Sequence, residues 1–247
     1  VATSAEEALS TAKTHGILEV VNSTIGGDED SAPWWPQVQA AKLSIKVVGS
    51  RENADVAAVH LKTATTEIEN CQKDGLAPKV AKGHLLAALE ACNTADEVIS
   101  QYAFITQEIA RARTALTPVE DHEEAAYVAA EVAEIEKLLT GAQTAARGGQ
   151  NYASVSADIE KAIALTKTAL ELAKQHKTYK ELRAEPEVEP RLAVLEGHEH
   201  RYAIKPSIDT MRKKLADAAA QDAGKQPADA IKLLEEARAI GTSAYVM

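Results

Sequence analysis

Residues 128–142 read VAAEVAEIEKLLTGA, and their apolar side chains recur every three or four positions. That spacing places them on one face of an α-helix, and the following Gly148-Gly149 is a typical helix stop. Similar periodicity continues along most of the chain, so the sequence predicts an all-α fold. The apolar stripe comprises Val128, Val132, Ile135, Leu138, Leu139 and Ala142.

The composition agrees with closely packed helices. Of the 247 residues, 45% are hydrophobic but only 4% are aromatic, and 48 are alanine. So few aromatic residues argue against a large β-sheet, whereas small alanine side chains let helix axes approach closely. The length suits one large domain or two small ones.

Charge is distributed unevenly along the chain, whose formal net charge is −10. Residues 1–124 carry a net charge of −9 and residues 125–247 a net charge of −1. An acidic protein lacks the basic footprint that phosphate binding needs, so we expect no nucleic-acid partner. Two basic clusters in the C-terminal half are most simply read as solvated helix faces. They are Lys174, Lys177, Lys180 and Arg183, and Arg212, Lys213 and Lys214.

The cysteines and the apolar segments exclude further classes. Cys71 and Cys92 are too few for a disulfide framework, and we expect free, buried thiols. No apolar run approaches the ~20 residues that span a membrane. Because the chain opens with Val1, we expect a processed form or a fragment of a larger multidomain protein. The sequence does not indicate a cellular location or an oligomeric state.

Helix-start and helix-stop signals divide the chain into eight to ten helices. We predict an acidic helical subdomain over 1–118, helical-hairpin repeats over 119–247, and a joint near 184–190. One continuous domain is the alternative. The predicted helices are 4–25, 36–49, 52–73, 78–94, 95–116 (stopped by Pro118), 120–147, 152–183, 190–203, 206–223 and 227–242.

A faint internal repeat runs through these helices. His122-Glu123-Glu124 is echoed by His198-Glu199-His200, and Leu139 precedes Gly148 as Leu215 precedes Gly224. The offset between copies is about 72–76 residues, and Gly75 marks a candidate third copy. The resulting prediction is an elongated multi-helix bundle or short solenoid of tandem antiparallel helical hairpins. Chance similarity between alanine-rich helices is the alternative.

The candidate partner-binding residues are Trp34 and Trp35. They are the only tryptophans, and they lie adjacent in Pro33-Trp34-Trp35-Pro36, within the Gly/Pro/acidic loop 26–36. An exposed tryptophan is a good binding anchor. A plug that seals one end of the bundle is the other interpretation.

Motifs for metal binding or catalysis are weak. The acidic run at 26–31 lacks the order and spacing of an EF-hand loop. On a helix, His198 and His200 would diverge too far to share an ion. We therefore predict no metal site and no cofactor. His84, His122 and His198, with the carboxylates near them in the sequence, are the only candidates for an enzyme site assembled from scattered residues.

These observations favour a non-catalytic helical scaffold or protein-interaction module. An enzyme or metal-binding bundle built from scattered His and Glu is the first alternative. Binding to a lipid surface through amphipathic helices is the second, although the net charge disfavours it.

Overall fold

A computed structural model describes residues 35–73, 76–148 and 152–246 of the chain. The predicted helix at 4–25, the acidic run at 26–31 and Trp34 lie outside the described residues, as does the side chain of Trp35. Gly75, the candidate turn of a third copy, lies outside them as well.

The described part of the chain is helical and contains no strand. This confirms the predicted all-α, multi-helix fold. Short 3-10 helices at Ala54–Ala57 and Ala125–Val128 precede α2 and α4. The α-helices within the described ranges are α1 Trp35–Gly49, α2 Ala58–Cys71, α3 Pro78–Glu120, α4 Ala129–Arg147, α5 Tyr152–Ala184, α6 Glu189–Gly197, α7 Lys205–Ala223 and α8 Pro227–Val246.

Helix α3 corrects two predicted boundaries. The prediction of separate helices at 78–94 and 95–116 is wrong, because one 43-residue helix runs to Glu120 and contains Pro118. A proline inside a helix lacks the N–H that would bond to the carbonyl four residues earlier, and its ring crowds that carbonyl. Leu116 and Val119, which lie before and after Pro118, are each at most 1% exposed, so the buried stripe continues across the proline. Packing therefore outweighs the local proline signal.

Helix α6 corrects another boundary. The predicted helix over 190–203 ends instead at Gly197, and His198 has an extended backbone with φ −69° and ψ 141°. Residues 199–204 form turns before α7 begins. The histidines at 198 and 200 therefore lie in a turn, where helical spacing does not apply.

The chain divides into two compact units. Unit 1 contains the described residues up to Ala110 and the segment Gly141–Ala157, and unit 2 contains Arg111–Thr140 and the described residues from Asp158 onward. In unit 1, one apolar cluster joins Val38, Ala41, Ile68, Leu85, Ala88 and Leu89, and a second joins Val48, Ala57, Ala64, Cys92, Ala95 and Ile99.

In unit 2, helices α6, α7 and α8 contact one another. Their shared core also includes Tyr179 from the C-terminal part of α5. The remaining members are Val188, Leu195, Ile208, Met211, Leu215, Ala218, Ala230, Leu234, Ala237 and Ala244. Within the described ranges, no helix combines the length and low polarity that crossing a bilayer requires.

Buried positions recur in three successive repeats, which we define as residues 38–108, 109–184 and 185–246. Each repeat has three helical segments, and equivalent residues are separated by 71 to 76 positions. Long helices serve two repeats, since the end of α3 and the start of α5 belong to the second. Equivalent buried triplets are Ala41, Ala112 and Val188; Ala64, Ile135 and Met211; Leu85, Ile159 and Leu234; and Ala95, Ala169 and Ala244.

Candidate functional site

In unit 2, His176 on α5 lies between two carboxylates. Its Nδ1 lies 2.8 Å from Asp222 Oδ1, and its Nε2 lies 3.5 Å from Glu124 Oε2. The side chains of the three residues are only 12–15% exposed. The imidazole also stacks on the Tyr127 ring, with centroids 3.8 Å apart and planes inclined by 6°. We call His176, Asp222, Glu124, Tyr127 and Lys225 the histidine cluster.

Tyr127 connects the cluster to the end of α7. Its hydroxyl donates a 2.7 Å hydrogen bond to the backbone carbonyl of Asp222. Burial, together with the nearby carboxylates of Asp222 and Glu131, raises the pKa of Tyr127 to about 12. The Lys225 ammonium lies 4.0 Å from the centre of the tyrosine ring and 3.4 Å from Glu131, an arrangement typical of a cation–π contact.

The turn between α7 and α8 places Lys225 in this position. Lys225 adopts a left-handed backbone conformation with φ 62°, which a residue with a Cβ rarely takes. The N–H of Gln226 donates to the carbonyl of Gln221 at 2.9 Å, a hydrogen bond of the type that closes helix ends around a left-handed residue. The contact of Lys225 with Tyr127 therefore compensates a backbone that glycine would adopt more easily.

The residues around His176 come from several different elements of unit 2. Each ring nitrogen of His176 faces a carboxylate, and Tyr127 covers one face of the ring. Among the described residues, His176 is hydrogen-bonded to no serine, threonine or cysteine, and its ring nitrogens lie beside Asp222 and Glu124. The carboxylates of Glu124 and Asp222 instead join the segment before α4 to α5 and α7.

The histidines nominated from the sequence are not brought together. His84 Nδ1 lies 2.6 Å from Glu67 in unit 1. His122 Nδ1 accepts a 3.1 Å hydrogen bond from the N–H of Glu124, and His198 Nδ1 accepts one of the same length from the N–H of His200. His122 and His198 therefore each accept a hydrogen bond from the N–H two residues later, at equivalent positions of the second and third repeats.

The turn also brings the His198 and His200 rings to 5.6 Å between centroids, with planes inclined by 52°. The described part of the chain nevertheless contains no group of three or more His, Cys, Asp or Glu that could hold a metal ion. The two cysteines form no disulfide. Cys71 is partly buried and Cys92 fully buried, and burial raises the pKa of Cys92 to about 11.

Carboxylates compensate much of the first basic cluster. Lys180 lies 2.6 Å from Glu124, and Lys177 pairs with Glu123. Arg183 makes a two-pronged contact with Glu189, at 2.8 and 2.6 Å.

The second basic cluster is compensated in a similar way. Arg212 lies 2.7 Å from Glu196 and 3.0 Å from Asp209, and Lys214 lies 2.5 Å from Glu236. Such exposed pairs contribute little stability, but they balance the local charge.

Two surface clefts lie within single units. The unit 1 cleft, of about 360 Å³, has no Asp, Glu, Lys, Arg or His in its wall; it is lined by Ser100, Gln101, Phe104, Ile105, Tyr152, Ala153 and Ser156. The unit 2 cleft, of about 300 Å³, is lined by Glu196, Arg201, Tyr202, Lys205, Ile208, Asp209 and Arg212. We call the second one the cationic cleft.

Sequence reasoning missed His176, although the repeat contains a signal for it. His176 occupies the place of the buried Tyr102 in the first repeat, and Asp222 occupies the place of the buried Ala146 in the second. His176 and Asp222 are thus polar residues at positions that are apolar in another repeat, and such a substitution indicates a buried polar contact. No protein-family model matches the chain, and no match was found among the curated proteins or the solved structures.

Proposed function

We propose that the chain is a non-catalytic helical scaffold that binds a protein partner. The observation that carries this proposal is the internal engagement of the histidine cluster. His176 has the partners of a catalytic histidine, yet both of its nitrogens face carboxylates that connect helices. Chemistry would need one of those nitrogens to reach a substrate.

The repeat supports the same proposal. Tandem helical repeats bury their apolar stripes against neighbouring segments and present their outer residues for binding. Trp34 and Trp35 remain the proposed anchors for the partner, because adjacent tryptophans between prolines supply a large apolar contact area. A parent protein with further domains is part of this proposal.

Affinity capture with the full chain tests the proposal. We expect a stoichiometric partner that is retained by the unchanged chain and lost by the Trp34→Ala/Trp35→Ala variant. The matched control is Val59→Ala/Phe104→Ala, which removes two side chains that are 76% and 57% exposed in unit 1. Equal retention by both variants would remove the tryptophans from the proposed interface.

A substrate screen tests the catalytic alternative. Ester, amide and phosphoester substrates are offered to the unchanged chain and to a His176→Gln variant that circular dichroism shows to be folded. We expect no turnover above the level of contaminating enzyme, and no difference between the two proteins. Turnover that disappears with His176 would replace the scaffold proposal with an enzyme.

A further inference from the structure

The cationic cleft combines an apolar base with charged walls. Ile208, at its base, is 5% exposed, whereas Tyr202 on its rim is 78% exposed. Arg201 lies beside Tyr202, with its guanidinium carbon 5.2 Å from the ring centre and Nη2 3.4 Å from the hydroxyl oxygen. An exposed aromatic ring beside a guanidinium is typical of a protein-binding surface.

Charge in this cleft is not balanced. Its two carboxylates, Glu196 and Asp209, both contact Arg212, at 2.7 and 3.0 Å. Arg201 and Lys205 form no ion pair with the described residues, and both are exposed. The lining carries three cations and two carboxylates, a net charge of +1, and Arg201 and Lys205 are the cations that face an anionic group.

The second repeat shows that the fold does not require these side chains. Residues 201, 202 and 205 are equivalent to Ala125, Ala126 and Ala129 of the second repeat, 76 positions earlier. The supporting framework is shared, because the turn histidines make the same hydrogen bond and Ile208 replaces Val132.

The first repeat also lacks these side chains. Its equivalent residues are Ala54 and Asp55, which precede α2, and Ala58, which begins it. Only the third repeat carries the two cations and the tyrosine. Because the same architecture forms without them, their presence needs an explanation other than packing.

We propose that the cationic cleft binds the acidic segment 26–36 of a second copy of this chain. This proposal rests on the proposed protein-binding function and names one partner for it. The segment reads GGDEDSAPWWP and carries three carboxylates followed by two tryptophans. Residues 14–41 contain neither Lys nor Arg, so nothing nearby in the sequence neutralises that charge. Arg201 and Lys205 bind the carboxylates, while Tyr202 and Ile208 contact the aromatic end.

A labelled peptide of residues 26–36 tests the cleft by fluorescence anisotropy with the full chain. We expect saturable binding that weakens at high salt, because exposed ion pairs are screened. The Arg201→Ala/Tyr202→Ala/Lys205→Ala variant, which takes the alanines of the second repeat and therefore folds, binds at least about tenfold more weakly. A peptide with Asp28→Asn, Glu29→Gln and Asp30→Asn is weakened to a similar degree.

The matched control is Lys137→Ala/Lys167→Ala, which also removes two positive charges, but from exposed positions of unit 2 outside the cleft. It binds the peptide within about twofold of the unchanged chain. If the triple variant binds as well as this control, or if no binding occurs up to about 1 mM peptide, the cleft proposal is overturned.

Sedimentation velocity tests the second copy directly. We expect the apparent mass of the full chain to rise with concentration, and the triple variant to remain monomeric. A chain that stays monomeric up to about 100 μM would overturn the assignment to a second copy. The capture experiment on Trp34 and Trp35 with other partners is independent of this result, so failure here and failure of the scaffold proposal are distinguishable.

Discussion

Replacing His176 with alanine would leave two carboxylates without their shared partner. Asp222 loses a contact of 2.8 Å and Glu124 one of 3.5 Å, in surroundings where their side chains are only 12–15% exposed. Tyr127 loses the ring stacked on it at 3.8 Å. The variant therefore tests whether the histidine cluster holds unit 2 together.

The expected loss follows from these contacts. Leaving a buried polar group without its hydrogen-bond partner costs roughly 1–3 kcal/mol, and more for a charged group, but Glu124 keeps Lys180 at 2.6 Å and both carboxylates retain some solvent. We therefore expect the free energy of unfolding to fall by about 3 kcal/mol. For a unit of this size, that corresponds to a melting temperature lower by roughly 10 °C.

The repeat supplies the matched control. Tyr102 occupies the place of His176 in the first repeat, and Ala146 occupies the place of Asp222 in the second, and both are buried. The double variant His176→Tyr/Asp222→Ala therefore installs side chains that this architecture already accommodates. We expect it to lie within about 1 kcal/mol of the unchanged chain, since apolar residues often replace a buried pair at little cost.

Urea unfolding, followed by circular dichroism at neutral pH, measures all three proteins together with Asp222→Ala and His176→Ala/Asp222→Ala, which complete a cycle. The double-mutant cycle isolates the interaction between the two residues, for which we expect roughly 1–3 kcal/mol. If His176→Ala unfolds at the same urea concentration as the unchanged chain, or if the cycle gives no coupling, the cluster does not stabilise unit 2.

Three other measurements examine separate features. Gly141→Ala should raise the unfolding free energy by roughly 0.5–1 kcal/mol, since a new Cβ there meets nothing within 4 Å. Gly241→Ala should give no such gain, because its Cβ would lie 3.0 Å from Met211. Equal gains for the two variants in urea unfolding would contradict this contrast. The raised pKa of Tyr127 contributes stability that is complete below pH 10 and is lost as pH rises towards about 12; Tyr127→Phe should flatten that alkaline decline in a pH series, and an unchanged slope would assign it elsewhere. Cys92 is fully buried with a pKa near 11, so a thiol reagent at pH 8 should leave it unmodified in the folded chain; labelling found by mass spectrometry before unfolding would contradict its placement.

Periodic segments with clear stop signals were predictable from the sequence. The helix predicted at 36–49 is found at Trp35–Gly49, and the helix predicted at 152–183 is found at Tyr152–Ala184. In each, apolar spacing and a following break agree. The helix end predicted before Pro118 was wrong, because the helix continues to Glu120. Burial of Val119 after the proline shows that packing outweighs the proline's tendency to end a helix.

The candidate site was less predictable, because its members are distant in sequence. His176 and Asp222 are 46 residues apart, and only the packing of α5 beside α7 joins them. The cationic cleft was also not predictable from one stretch of sequence, although Arg212 belongs to a basic cluster there. The cleft stands out only when the third repeat is aligned with the second, and that alignment depends on knowing which positions are buried.

The central claim is that this chain acts through its surface, with the tryptophan pair as an anchor for a partner. Iodide quenching of the intrinsic fluorescence tests it most directly, because Trp34 and Trp35 are the only tryptophans. At low protein concentration, the account predicts red-shifted emission that iodide quenches efficiently. Blue-shifted emission that iodide leaves unquenched would identify a structural plug and contradict the claim.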